Sequence, residues 1–371
     1  MIIWYKKLEI NLKNLRKNLK VLKKFLPKNT QILPVIKNDA YGHGLLEVAK
    51  VLSQEGVFGF GLSEPEEALI LRKKGFSEPI LLLSGFEKDW IPEMYELKIT
   101  PVVTNLNTFE WLKEFVKKRN IKWEFHLKVD TGMHRFGLPL EELNKIINKI
   151  KNFPALKLTG IMTHLSCAEN PEHKLTQLQL ENLKRTLEKL KNNEINPQYV
   201  HFANSGGIIF LPEKGNLVRP GISLYGGYPS FKAKELIKLY PVMTLRSRIV
   251  EIKRIKKGEY AGYGPNFRAK RNTLLGLVPI GYGDGYLRSL SNKGFAYYKG
   301  KRVKVVGNIS MKVLYLDITQ VENPKIGDEV ILLGGEKEEV PADELARLAG
   351  TISYEIFCHL GKSIPREYKD V

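Results

Sequence analysis

The 371-residue sequence predicts an α/β protein, a (β/α)8 barrel of the TIM type followed by a mostly β C-terminal domain. Three observations carry that reading. Short apolar runs alternate with amphipathic helical periods through the first two-thirds of the chain. Chemically capable residues gather at the ends of those runs, where a barrel places its working face. After about residue 235 the helical period gives way to short β-like runs set off by glycine turns.

Eight runs have strand character: 32–36, 58–62, 80–83, 101–103, 125–129, 158–163, 199–203 and 217–218. Helical periods lie between them, most clearly over 12–25, 64–74, 140–150 and 175–190. The barrel is expected over residues 1–235, with residues 1–10 preceding the alternation and open to pairing with the β domain. Residues 236–371 form the β-rich domain, with strands near 242–247, 274–280, 302–306 and 329–333. Turn signals such as Gly264-Pro265-Asn266 and Gly334-Gly335 separate these runs, and a single helical period appears at 341–348.

Composition narrows the function classes. Lys and Arg number 59 against 40 Asp and Glu, a net charge of +19. The lysines are spread from Lys6 to Lys369 and interleaved with Glu, which reads as a solvated surface. A nucleic-acid partner would need aromatic-basic recognition motifs that are absent. Cys167 and Cys358 are too few for a disulfide framework or a thiolate zinc site, and the seven histidines show no HExxH pattern, so no metal is expected. No uninterrupted apolar stretch approaches a membrane span and no signal-type segment is evident, so the expectation is a cytoplasmic protein without a membrane partner.

Several strand-end groups stand out. Lys37 follows the run ending at Ile36, within Lys37-Asn38-Asp39-Ala40-Tyr41-Gly42-His43-Gly44. A partly desolvated lysine has a lowered pKa and a nucleophilic amine suited to an aldehyde. Asp130 and Arg135 follow the fifth run, His164 the sixth, Asn204-Ser205 the seventh, and Arg219 with Gly221 the eighth. Singly, each is an ordinary polar strand end; together they describe a site.

The Lys37 string resembles the pyridoxal-phosphate lysine motif of the alanine racemases, and the likeness runs along nearly the whole chain. Lys128–Gly137 is similar to that family's second signature. Thr163-His164, Ala203-Asn204-Ser205, Arg219–Gly226, Gly262-Tyr263-Gly264, Pro279–Gly285, Gly307–Met311, Ser353-Tyr354-Glu355 and Pro365-Arg366 follow in order and spacing. The resemblance implies a barrel plus β domain, a homodimer with shared active sites and pyridoxal 5'-phosphate as cofactor. It implies an isomerase interconverting L-alanine and D-alanine by two-base proton transfer at Cα, supplying D-alanine for peptidoglycan.

On that resemblance Lys37 holds the cofactor as a covalent aldimine and serves as one base. Tyr263 is the other, reaching in from the partner subunit. Tyr41, Ser205, Tyr354 and the N–H groups of Gly221 and Ile222 meet the phosphate, with Asn204 alongside. Arg219 faces the pyridine nitrogen, with His164 next to it. Arg135 receives the substrate carboxylate, and Met311 lines the substrate site across the interface. In some relatives the lysine matching Lys128 is carbamylated to orient that arginine.

The sequence departs from the family in one string. The usual Gly-Arg-(Ile/Val)-(Ser/Cys)-Met-Asp is Gly307-Asn308-Ile309-Ser310-Met311-Lys312 here. Arginine becomes Asn308 and aspartate becomes Lys312, within a substrate corridor that also includes Arg288 and Glu169. This leaves open a racemase of broader or different amino-acid preference. A barrel-type pyridoxal-phosphate decarboxylase is the remaining alternative, though Cys358-His359-Leu360-Gly361 does not resemble its cysteine-aspartate element.

Overall fold

The computed structural model describes residues 5–370; residues 1–4, part of the segment expected to be open to pairing with the β domain, lie outside the described residues, as does residue 371. The barrel closes from eight short parallel strands. Phe60–Leu62 pairs with Ile80–Leu82, and Trp123–Lys128 pairs with Leu156–Met162, which in turn pairs with Tyr199–His201. The fourth strand is split into Ile99–Thr100 and Val102–Val103 because Pro101 has no N–H to give the ladder. Its first half pairs with the third strand and its second half with the fifth. Leu217–Val218 pairs with Gln31–Ile32, a Val35–Gly61 bridge joins the first strand to the second, and the Arg219 N–H donates to Ala203 O at 2.9 Å to close the ring. Leu33, Leu81, Val102, Met162 and Leu217 form an apolar cluster drawn from five barrel segments.

The outer helices follow their apolar spacing. Leu12–Lys23 buries Leu12, Leu15, Leu19 and Leu22, one stripe at helical period, and Asn11 caps it by accepting the Asn14 N–H at 2.8 Å. Leu106–Arg119 begins with a capping box between Asn105 and Thr108.

The second domain is built on a nine-stranded sheet. Its order is Glu251–Ile255, Thr273–Val278, Leu314–Asp317, Lys301–Val306, Phe295–Tyr298, Glu329–Leu333, Met243–Arg248, Lys6–Asn11 and Arg366–Lys369. Lys6–Asn11 lies antiparallel to Met243–Arg248 and parallel to Arg366–Lys369, so a strand that precedes the barrel is stitched into the later sheet.

Two elements differ from the sequence expectation. Helix continues past 341–348: Ala342–Ala349 is followed by Ser353–Ser363. The latter lies against the Lys37 segment where Gly361 meets Gly42; a Cβ on Gly361 would stand 2.2 Å from Gly42 O. The run 32–36 also forms regular strand only at Gln31–Ile32, with a single further bridge at Val35. After the Val35 bridge the chain enters a turn, Lys37–Gly42, in which Asn38, Asp39, Ala40 and Tyr41 all have φ of 53–56°. This is a left-handed turn built from non-glycine residues, a conformation disfavoured by Cβ crowding.

Candidate active site

At the barrel mouth a cavity of about 460 Å³ collects most of the expected site residues. Lys37, Tyr41, Arg135, His164, Asn204, Ser205, Arg219, Gly221, Ile222 and Tyr354 all line it, with Lys128 and Cys358 added. They come from the ends of several barrel strands, except Tyr354 and Cys358, which come from the helix Ser353–Ser363. Burial and then the Arg135 charge lower the pKa of Lys37. Lys128 is pushed further, to about 7, by burial and by Arg219, Arg135 and Lys37; its amine donates to Leu83 O at 2.9 Å.

The far wall is a directed chain of hydrogen bonds. Arg219, 2% exposed, donates through its two terminal nitrogens to His201 Nδ1 at 3.0 Å, His201 O at 2.5 Å and Thr163 O at 2.7 Å. Because a guanidinium only donates, His201 Nδ1 accepts, and the neutral ring carries its hydrogen on Nε2. That hydrogen points to His126 Nδ1 at 2.9 Å. Burial holds both histidines neutral, lowering His201 well below its usual range and His126 to about 3. Burial also lowers Arg219 to about 9, which leaves it cationic at neutral pH.

His201, rather than His164, is therefore the ring that Arg219 grips. His164 lines the cavity beside them, its pKa driven well down first by burial and then by Arg219. His201 lies within the strand Tyr199–His201, not after it, so its place in the sequence does not mark it. A signal existed in Gly160, on the strand between His126 and His201: a Cβ there would stand 2.4 Å from the His126 ring, so the glycine opens the gap that the two rings bridge.

At another wall, Ser205 Oγ accepts the N–H groups of Gly221 at 3.0 Å and Ser223 at 3.3 Å. The Gly221 N–H, expected at the phosphate, is thus turned to Ser205. Gly221 serves in another way, since a Cβ on it would lie 2.8 Å from the Tyr41 hydroxyl. Tyr41 packs at 4.9 Å from the Tyr225 ring and 5.8 Å from the Tyr354 ring, and burial raises Tyr354 to about 12, so its hydroxyl stays protonated.

Tyr263 and Met311 are elsewhere. They line a separate concave surface on the β domain with Tyr282, Arg288, Asn308 and Lys312, and are 75% and 57% exposed. Lys312 does not project a free charge there: it pairs at 2.7 Å with Asp284, which is fully buried and also bonded to Lys6.

The donor set of the barrel cavity fits pyridoxal phosphate. Three hydroxyls beside a glycine gap suit a phosphate, a desolvated amine suits an aldehyde, and a guanidinium that keeps its proton suits a ring nitrogen. Fold and site together define a barrel-type pyridoxal-phosphate enzyme. Residues 10–229 match the alanine racemase N-terminal domain and residues 242–368 the alanine racemase C-terminal domain. An alanine racemase of Carboxydothermus hydrogenoformans is 38% identical over 97% of this chain and 98% of its own. The alanine racemase structure from Clostridium difficile 630 superimposes with a TM-score of 0.90 at 36% identity, covering 100% of this chain and 97% of that one. The alanine racemase of Bartonella henselae, solved with covalently bound pyridoxal phosphate, gives 0.91 at 32% identity over 99% of this chain and 100% of that one. The chain belongs to the alanine racemase family, pyridoxal-phosphate-dependent isomerases that interconvert L- and D-alanine.

Proposed function

We propose that two copies of this chain form a racemase with composite active sites, Lys37 of one copy and Tyr263 of the other acting on opposite faces of the alanine Cα. The observation that carries this reading is the separation of the two groups: Lys37 lies inside the barrel cavity, whereas Tyr263 projects from a different surface of the β domain. Inversion needs a proton taken from one face and another delivered to the opposite face, so a second group must come from outside this cavity.

Held in this cavity, pyridoxal phosphate would supply an electron-withdrawing ring that acidifies the Cα hydrogen of the substrate. The remaining work falls to the protein. Tyr41, Ser205 and Tyr354 offer hydroxyls to the phosphate, with the Ile222 N–H, the Gly221 gap and Asn204 beside them. Arg219, held by His201 and Thr163, donates to the ring nitrogen and keeps its own proton, which limits how strongly the ring withdraws electrons and favours return of a proton to Cα. His164 supports that wall. Arg135 receives the substrate carboxylate with its planar fork. Lys37, with its lowered pKa, takes or returns a proton on one face; Tyr263 does so on the other, where Met311 lines the substrate site. We place the reaction in the cytoplasm, where D-alanine serves peptidoglycan synthesis.

The test is a panel of L-amino acids incubated with the holoenzyme and analysed for D-enantiomers and for gas release. Formation of D-alanine toward an equal mixture without carbon dioxide supports the reading. Carbon dioxide with loss of the amino acid would reject it in favour of a decarboxylase.

A further inference from the structure

Tyr263 is carried on a glycine-flanked turn whose base is the antiparallel bridge between Tyr260 and Arg268. Tyr263 stands between Gly262 and Gly264, both left-handed at φ +78° and +66°, and its side chain projects outward. A circuit of three asparagines grips it from beneath. Asn308 Nδ2 donates to Tyr263 O at 2.7 Å, and Asn308 Oδ1 accepts from Asn266 Nδ2 at 3.0 Å. Asn292 Nδ2 donates to Asn266 O at 3.2 Å, and Asn292 Oδ1 accepts the N–H of Gly307 at 2.7 Å, one residue before Asn308. The ring of bonds closes on itself and ties the Tyr263 segment to the end of the strand Lys301–Val306.

Asn308 is the residue that stands where the family string has arginine. A carboxamide donates and accepts at once, whereas a guanidinium only donates and cannot take the Asn266 bond. Asn308 is 9% exposed, so its amide is fixed by these partners and not by solvent.

We propose that Asn308 is a positioning residue for racemisation: it fixes the peptide at Tyr263 so that the phenol oxygen meets Cα on the face opposite Lys37. The inference rests on the reading of Tyr263 as the second base. In the step it serves, the Tyr263 oxygen takes the Cα hydrogen as a proton from one enantiomer while Lys37 supplies a proton to the other face; the opposite enantiomer reverses these roles. Misplacing a reacting group by about 1 Å costs about 100-fold in rate.

The test uses holoenzyme in deuterium oxide with the enantiomer whose Cα hydrogen faces Lys37. Deuterium entering with retained configuration needs only Lys37, whereas inversion needs Tyr263 as well. Asn308→Asp keeps the acceptor for Asn266 but cannot donate to Tyr263 O; Asn308→Ala removes both bonds. The expected result is a loss of inversion of about 10- to 100-fold with retained-configuration exchange unchanged. Inversion at the wild-type rate, or inversion and exchange falling together, overturns the proposal. If the alanine variant does not fold, the isosteric aspartate variant decides by the same two rates. Tyr263→Phe, measured alongside, separates the two readings. Inversion preserved in that variant removes the second-base reading and this inference with it. Inversion lost there but kept in both Asn308 variants removes the positioning role alone.

Discussion

Lys37 is useful as an amine because its surroundings hold its proton loosely, and the Arg135 charge is one of the causes. Removing that charge with Arg135→Ala makes the protonated form less costly, so the Lys37 pKa rises. The rate at which apoprotein takes up pyridoxal phosphate, followed against pH, should then have its inflection moved to higher pH. An inflection that stays in place would show that Arg135 does not act on Lys37. Lys128 gives a second prediction at the same scale. With a pKa of about 7 it is half neutral at neutral pH, and the neutral amine is the form that attacks carbon dioxide. The nitrogen bonds to carbon, a proton leaves to solvent, and the anion that results is favoured by the nearby Arg219, Arg135 and Lys37. Carbon-13 bicarbonate should yield a carbamate resonance that Lys128→Met abolishes; the same spectrum from both proteins would refute it.

The left-handed turn at Asn38–Tyr41 is the element most at odds with local preference, at about 1–2 kcal/mol per residue. It persists because other elements hold it. The Asp39 N–H donates to Glu67 at 2.8 Å, Asp39 Oδ1 accepts the Leu45 N–H at 2.7 Å, and Asp39 Oδ2 pairs with Arg366 at 2.5 Å. Asn38 and Asp39 tolerate this conformation better than most residues, but Ala40 and Tyr41 do not, and most of the bonds that hold the turn come from Glu67 and Arg366, far along the chain. The edge region of the large sheet is held by charge as well. Burial alone would raise the Glu9 carboxyl, but hydrogen bonds from Lys369, Arg246 and Lys7 hold it down at about 2. A carboxyl depressed in the folded state stabilises above its ordinary pKa of 4.5 and loses that contribution as pH falls toward 2. Glu9→Gln should therefore destabilise at pH 7 by about 2 kcal/mol, the scale of lost charge-assisted hydrogen bonds, since Lys7 and Arg246 keep Glu367 and Glu329, and show a weaker acid limb in denaturation between pH 4.5 and 2. Equal stability of the two proteins at pH 7 would refute it.

Across the whole molecule, the two-copy reading makes a quantitative prediction. Lys37→Ala and Tyr263→Phe proteins, inactive alone, should regain activity when mixed and allowed to exchange subunits. Random pairing makes half the dimers mixed with one complete site of two, so recovery should approach roughly a quarter of wild type. Demonstrated exchange without recovery would place Tyr263 outside the partner's site. The sequence made the barrel and most of its mouth legible, since Lys37, His164, Ser205 and Arg219 each end or follow an apolar run. His201 was hidden because it faces inward within a strand, and its role depends on a gap at Gly160 two strand positions away in space. The helix Ser353–Ser363 was hidden because its pattern is broken by glycine and polar residues, and its place is set by the Gly42 contact.

The pairing of Lys6–Asn11 with Arg366–Lys369 has a consequence for the order in which the protein assembles. Ribosomal synthesis delivers the first of these strands ahead of the barrel, so it waits through the barrel for Met243–Arg248 and through nearly all of the sheet for Arg366–Lys369. The same late segment brings Arg366 to Asp39, one of the bonds on the turn beside Lys37. A nascent chain can thus close its barrel without having the full set of bonds around the Lys37 turn. Readiness for the cofactor is completed with the last strand, and a prematurely terminated product lacks the clasp that the finished one has.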